Sequence, residues 1–89
     1  MYSKITTIQN KTGLHARPAS DFVKCASKFN SKITIKNVDD DETASAKSII
    51  LILALSLSQG MQVEITAEGE DEAAAVDALV ELIDSKFGE

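Results

Sequence analysis

One short segment holds the residues best suited to chemistry. Residues 13–19 read Gly-Leu-His-Ala-Arg-Pro-Ala, and His15 within them is the sole histidine of the chain. A neutral imidazole can carry a covalent group as a nucleophile. The guanidinium of Arg17 offers the planar fork of donors that suits phosphate oxygens. A histidine and an arginine two positions apart therefore predict a site for a phosphoryl group.

The same segment indicates the start of a helix. Pro18 is tolerated in a first helical turn because its missing N–H has no helical partner there. Gly13 allows a sharp turn before the site, since glycine adopts positive φ without steric cost. With His15 as the capping residue, the backbone N–H groups of Ala16 and Arg17 point outward, where the helix dipole favours an anion. We expect these two N–H groups and the Arg17 side chain to hold a phosphoryl group on His15.

Other chemistries fit these residues less well. The simplest alternative makes His15 an exposed cap and Arg17 an ordinary solvated charge, but the His-x-Arg-Pro pattern at a helix start weighs against it. A tetrahedral metal shell lacks ligands, because Cys25 is the only cysteine and there is no second histidine. A catalytic triad lacks an identifiable hydroxyl nucleophile. We predict neither a metal nor a cofactor.

Hydrophobic patterning predicts four strands. Apolar and polar residues alternate over residues 32–36, with Phe29 as a further candidate, and over residues 61–68. Residues 2–9 are rich in Ile and Thr, which favours a strand, although their alternation is less regular. A short strand is expected near residues 43–46.

Helical spacing predicts three helices between these strands. The first carries an apolar stripe formed by Ala16, Ala19, Phe22, Val23, Ala26 and Phe29. The second is short, spans residues 49–55 and lies between a Ser48 cap and a stop at Gly60. The last follows acidic residues 70–72 and ends near Lys86 and Gly88; its stripe is formed by Val76, Leu79, Val80, Ile83 and Phe87. The order βαββαβα predicts an α+β open-faced sandwich, a four-stranded antiparallel sheet with helices on one face.

Composition restricts the class of protein. The 89 residues, 44% of them hydrophobic and 26% charged, predict one globular domain over residues 1–89. The formal net charge of −5 argues against binding nucleic acid. A single cysteine, no secretory signal at the start and a longest apolar run too short to span a bilayer predict a cytoplasmic protein.

The motif at residues 13–19 resembles the active-site signature of HPr, the phosphocarrier family of the bacterial phosphoenolpyruvate-dependent sugar phosphotransferase system. The resemblance runs nearly end to end: residues 46–49, Ala-Lys-Ser-Ile, are similar to the family's regulatory-serine motif, and residues 67–72 to its turn into the last helix. It implies that His15 accepts a phosphoryl group on Nδ1 from phosphorylated Enzyme I, with Arg17 assisting. The A components of sugar permeases then receive the group. It also implies a monomeric carrier rather than an enzyme.

Ser48 has two interpretations. As a helix cap it needs no further role, whereas the matching serine of Gram-positive relatives is phosphorylated by an HPr kinase and takes part in catabolite control, with added charge that hinders Enzyme I docking. Ile50 and Leu51 replace the family's usual Met and Gly, and Leu53 stands at a further common Met position. These replacements bear on recognition by the kinase and by a catabolite-control regulator.

The short middle helix is apolar on nearly every side, so one face should stay exposed after the core is filled. In the family this helix contacts partners together with the first turn of the histidine helix. Ala16, Ile49, Ile50 and Leu53, beside Arg17, are the predicted docking residues. A deeper core than usual is the alternative.

Two other functional classes compete with a sugar phosphocarrier. A nitrogen-type or regulatory HPr paralogue would share most of these features, and the presence of His15 favours phosphoryl carriage without separating the sugar and nitrogen branches. A small binding module such as a metallochaperone shares the element pattern. A metallochaperone needs a paired-cysteine loop, which a chain with Cys25 alone does not have.

Overall fold

The computed structural model describes residues 1–88, which form four strands, three α-helices and a final 3-10 turn. In chain order these are β1 (Tyr2–Thr7), α1 (Ala16–Ala26), β2 (Lys32–Asn37), β3 (Glu42–Ser45), α2 (Ile49–Ala54), β4 (Gln62–Glu68), α3 (Glu72–Asp84) and the 3-10 turn Lys86–Gly88. The order βαββαβα is the predicted one.

The strands form one antiparallel sheet in the order β1-β4-β2-β3. The helix α3 packs against β1, β4 and β2, while α1 packs against α3 and α2. The predicted α+β open-faced sandwich is confirmed. Within residues 1–88, no helix is both long enough and apolar enough to cross a membrane.

The two central strands follow the alternation of their sequences. Val63, Ile65 and Ala67 of β4 are fully buried, and Ile33 and Ile35 of β2 lie opposite the last two of them. Alternation buries every second side chain of a strand because successive side chains point to opposite faces. The helices supply the other half of the core, with Phe22 of α1 and Leu79 of α3 among its fully buried members.

The edge strand β1 turns its polar side toward the helices, which its irregular sequence pattern did not specify. Lys4 lies opposite the buried Ile65, so it shares the helix-covered face. Its Nζ lies 2.7 Å from a carboxylate oxygen of Asp77 on α3, and the Tyr2 hydroxyl donates to the same oxygen at 3.1 Å. Ile5, on the opposite face, is 57% exposed. At the rim of the sheet, ion pairing to α3 replaces apolar packing.

Helix ends differ from the predictions in three places. The helix α1 ends at Ala26, so Phe29 lies in neither a helix nor a strand and packs half-buried in the connection to β2. The helix α3 ends at Asp84, and Phe87 reaches the core from the 3-10 turn through a positive φ of 56°. The helix α2 ends before Ser56, which adopts φ 53°, rather than at Gly60. The chain therefore reverses at residues whose types do not favour positive φ.

Candidate functional site

His15 occupies the capping position of α1, as predicted. Its backbone is extended, with φ −123° and ψ 158°, and its side chain makes no capping hydrogen bond to the helix. The residue is exposed. An imidazole at this place is open to a partner protein and sits beside the free N–H groups of a helix N-terminus.

The first residue of α1 has an irregular backbone. Ala16 adopts φ 47°, in the left-handed region that glycine favours, whereas the sequence analysis placed Ala16 in an ordinary first turn. A non-glycine residue in this region costs about 1–3 kcal/mol, and such strain is concentrated at functional sites. The chain thus changes direction sharply between His15 and Arg17.

Arg17 extends into solvent beside the histidine. Its side chain is 88% exposed, and its Nε lies 3.8 Å from a carboxylate oxygen of Asp21, one turn further along α1. An exposed pair at this distance contributes little free energy. The guanidinium is therefore free to leave Asp21 and pair with a phosphoryl group.

The C-terminal turn lies near the same helix start. Arg17, Pro18 and Asp21 line a small cleft of about 60 Å³ together with Phe87 and Gly88. Helical spacing predicts Phe87 in the apolar stripe of α3, whereas the structure places it beside Arg17 in this cleft. The sequence signal for this placement is that Phe87 is a large apolar residue beyond the end of α3.

A tight turn before His15 sets where the histidine leaves the core. The N–H of Gly13 donates to the carbonyl of Asn10 at 3.2 Å, and the side-chain amide of Asn10 donates back to the Gly13 carbonyl at 2.9 Å. The N–H of Leu14 donates to the carbonyl of Leu57 at 3.0 Å. This region, residues 10–14, is called the histidine turn below.

Gly13 is required here for two reasons. Its φ is 64°, and a β-carbon at this position would collide with the carbonyl oxygen of Leu57. The sequence analysis predicted the positive φ, and the close backbone approach is an additional finding.

The short helix α2 presents the exposed apolar surface expected from its composition. The exposed fractions are 39% for Ile49, 75% for Ile50, 49% for Leu51 and 39% for Leu53, whereas Ile52 is fully buried. Ala16 is also exposed, and α1 and α2 are in contact. The exposed residues Ile49, Ile50, Leu51 and Leu53 are called the apolar patch. Leu51 belongs to it although the sequence analysis did not select it.

Ser48 caps α2 in the predicted manner. Its hydroxyl accepts a hydrogen bond from the N–H of Leu51 at 3.3 Å. The preceding Lys47 donates from Nζ to the carbonyl of Phe29 at 2.7 Å. This bond joins the start of α2 to the connection between α1 and β2.

Cys25 and an acidic run at residues 39–42 lie away from this site. Cys25 is half-buried between α1 and α3, where burial raises the pKa of its thiol, so it is a weak nucleophile. The acidic residues 39–41 lie in the turn between β2 and β3, Glu42 begins β3, and Asp41 pairs with Lys36 at 2.8 Å. The Lys36 ammonium holds the pKa of Asp41 below its usual value.

Comparison with known proteins decides the family. The model of the family described as "PTS HPr component phosphorylation site" matches residues 2–85. The chain belongs to the HPr family. It is 48% identical to the phosphocarrier protein HPr of Haemophilus influenzae, over 93% of this chain and 95% of that protein. It is 42% identical to the phosphocarrier protein NPr of Shewanella violacea, over 93% of this chain and 89% of that protein. The crystal structure of HPr-C-His from Thermoanaerobacter tengcongensis superposes with a TM-score of 0.96 at 53% identity, covering 100% of this chain and 98% of that one.

The family membership confirms the predicted function at the level of the protein. The chain is an HPr-type phosphocarrier of the phosphotransferase system, and the family implies partners from that system. The fold of the solved relatives is the open-faced sandwich described above.

Proposed function

We propose that His15 is the phosphoryl acceptor and that its Nδ1 attacks the phosphorus atom presented by phosphorylated Enzyme I. The bond from phosphorus to the donor atom breaks as the N–P bond forms, and the A component of a sugar permease later accepts the group by the same displacement. The observation that supports this most strongly is an exposed imidazole with no capping bond at the start of α1. The chain has no second histidine to take this role.

The residues around His15 stabilise the transferred group. The N–H groups of Ala16 and Arg17 and the dipole of α1 favour negative charge at the helix start. The Arg17 guanidinium, whose Nε lies 3.8 Å from an Asp21 carboxylate oxygen, pairs with the phosphoryl oxygens. The carrier supplies a nucleophile and a charged cradle, and its partners supply most of the remaining machinery, so it acts as a carrier rather than an enzyme.

The apolar patch on α2, with Ala16 and Arg17, is the docking surface for both partners. Its four large apolar side chains are exposed, while Ile52 anchors the helix in the core. Phosphorylation of Ser48 by an HPr kinase would place a dianion at the edge of this surface and weaken docking. A catabolite-control regulator would recognise that phosphorylated form.

Intact mass after incubation with Enzyme I and phosphoenolpyruvate tests the acceptor. The wild-type chain should gain one phosphoryl group that is labile in acid and stable in alkali, as a phosphorus–nitrogen bond is. His15→Ala should gain none and keep its thermal unfolding midpoint, because an exposed side chain has little packing to lose. Ser48→Ala is the matched control and should label like wild type. Labelling of His15→Ala, or acid-stable label, would contradict the assignment.

Ser48→Asp tests the docking role of the α2 start. The added charge should slow transfer from Enzyme I by raising the concentration of carrier needed for half-maximal rate. Ser48→Ala should leave that concentration near the wild-type value. Equal kinetics for Ser48→Asp and wild type would remove Ser48 from the regulatory account.

A nitrogen-branch carrier is the second candidate, since the relative from Shewanella violacea bears the name NPr. Rates with the Enzyme I of each branch separate the two, and the sugar-branch enzyme should be the faster donor. For either branch we propose a monomer that works in the cytoplasm, with residues 1–89 as a single phosphocarrier domain. Sedimentation at working concentration tests the monomer.

A further inference from the structure

One buried polar atom of the histidine turn has no hydrogen-bond partner within residues 1–88. The side chain of Asn10 is almost fully buried, at 2% exposure, and among the described residues its Oδ1 is left without a donor. Burying an acceptor unpaired is unfavourable, and such groups in a folded protein call for an explanation. An apolar residue at this position would avoid the loss.

The nitrogen atom of the same side-chain amide makes two hydrogen bonds. Nδ2 of Asn10 donates to the Gly13 carbonyl at 2.9 Å and to the Thr12 hydroxyl at 3.1 Å. With the Gly13 N–H bonded back to the Asn10 carbonyl, residues 10–13 form a closed ring of hydrogen bonds. Alanine or leucine could not supply these two donors.

The residue after this ring of hydrogen bonds, Leu14, joins the histidine turn to the core of the protein. Leu14 is fully buried and its N–H bonds to Leu57, on the connection that follows α2. Gly13 packs directly on the same carbonyl. His15 follows at once, and Ala16 then takes its left-handed conformation. The position of the imidazole is therefore set by a short rigid segment whose internal bonds depend on Asn10.

We propose that Asn10 is a positioning residue for phosphoryl transfer: its amide locks the histidine turn and so holds the His15 imidazole in line for displacement. The inference rests on the proposed role of His15. The donors of Asn10 hold the turn at the cost of an unpaired Oδ1. A loose turn lets the imidazole sample other directions, and misplacement by about 1 Å can cost about a hundredfold in rate.

Single-turnover transfer from phosphorylated Enzyme I separates positioning from docking. Asn10→Ala and the isosteric Asn10→Asp, whose carboxylate has no donor, should slow the saturated transfer rate tenfold or more. The concentration for half-maximal rate should stay within twofold of wild type, because the apolar patch is unchanged. Proton NMR of the sole imidazole should show broadened or doubled signals in both variants, and the Leu14 N–H should exchange faster with solvent.

Two further variants guard against a merely structural effect. Ser31→Ala removes another buried polar group, directly before β2 and bonded to Asp71 at the start of α3, and should lose stability while keeping the wild-type transfer rate. Thr12→Val removes the hydroxyl that accepts from Asn10. Because Thr12 is exposed, the variant should fold, and it should slow transfer severalfold. If the Asn10 variants do not fold, Thr12→Val decides the matter.

The outcomes distinguish this inference from the proposed function. Three results would overturn the positioning role alone. The first is a transfer rate of the Asn10 variants within twofold of wild type, and the second is an equal loss of transfer rate in Ser31→Ala. The third, where the Asn10 variants do not fold, is an unchanged transfer rate in Thr12→Val. A wild-type chain that accepts no phosphoryl group, or a His15→Ala chain that accepts as much as wild type, would overturn both.

Discussion

Two isoleucines of α2 allow the apolar patch to be tested against the core. Ile52 is fully buried and Ile50 is 75% exposed, two positions apart on the same helix. Truncating a buried isoleucine to alanine costs about 2–5 kcal/mol, because it removes apolar burial and leaves a cavity. At roughly 5 °C per kcal/mol for a domain of this size, Ile52→Ala should lower the unfolding midpoint by about 15 °C. Ile50→Ala should lower it by less than about 3 °C, within the range for surface changes.

The effect on docking should be the reverse. Ile50→Ala removes three carbons worth about 0.8 kcal/mol each when buried, and the exposed fraction of 75% limits the loss to about 1.8 kcal/mol. Full burial against Enzyme I would then weaken Kd by about twentyfold. Calorimetric unfolding and titration calorimetry with Enzyme I give the two numbers. Equal losses of stability in the two variants, or an unchanged Kd for Ile50→Ala, would refute the assignment of the patch to docking.

Two predictions concern stability away from the patch. Ser56→Gly should raise the unfolding midpoint by a few degrees, because Ser56 adopts φ 53° and glycine removes about 1–2 kcal/mol of strain against an entropic loss of about 0.5–1 kcal/mol; the neighbouring Ser58→Gly should not, and calorimetry of both decides. Asp71→Asn should flatten the acid dependence of the free energy of unfolding. The Ser31 hydroxyl, then the Asn30 N–H, hold the pKa of Asp71 below 3.8. This contribution is therefore present above pH 3.8 and is lost as pH falls through the lower folded-state pKa. Urea unfolding at several pH values should show the gap between wild type and variant narrowing in acid, and a gap independent of pH would contradict the reasoning.

The place of the candidate site at a helix start and most elements could be predicted because their signals are local. His15 is unique in the sequence, and Gly13 and Pro18 bracket it with residue types that specify a turn and a helix start. The alternation in β2 and β4 is regular because these strands lie in the middle of the sheet and bury one face completely. The sequence pattern of a strand agrees with its burial in the structure where one face of that strand packs entirely against the core.

The strand β1 shows why other features could not be predicted. Its helix-facing residue Lys4 pairs with Asp77, which lies on the last helix, so its inward direction depends on a partner distant in sequence. Asn10 presents the same difficulty, since the histidine turn is completed by the Leu57 carbonyl. Neither contact leaves a periodic signal in the neighbouring residues.

The exposure of α2 follows from helical geometry once Ile52 is known to face the core. Successive residues of a helix are about 100° apart, so Ile50 lies about 160° from Ile52 and is the most exposed, while Leu51 and Leu53 lie to either side. The sequence shows an apolar run without showing which side faces inward, which is why Leu51 was not selected.

This geometry separates recognition from chemistry. Ile50, Leu51 and Leu53, the three residues that depart from the motif this segment resembles, all project from the surface. The histidine turn instead depends on the carbonyl of the buried Leu57, which lies beyond the C-terminal end of α2. A change of apolar side chain in the patch therefore leaves the bonds that place His15 unchanged. Under the proposed docking role, these three side chains bear on the fit to partners and not on the phosphoryl-transfer step.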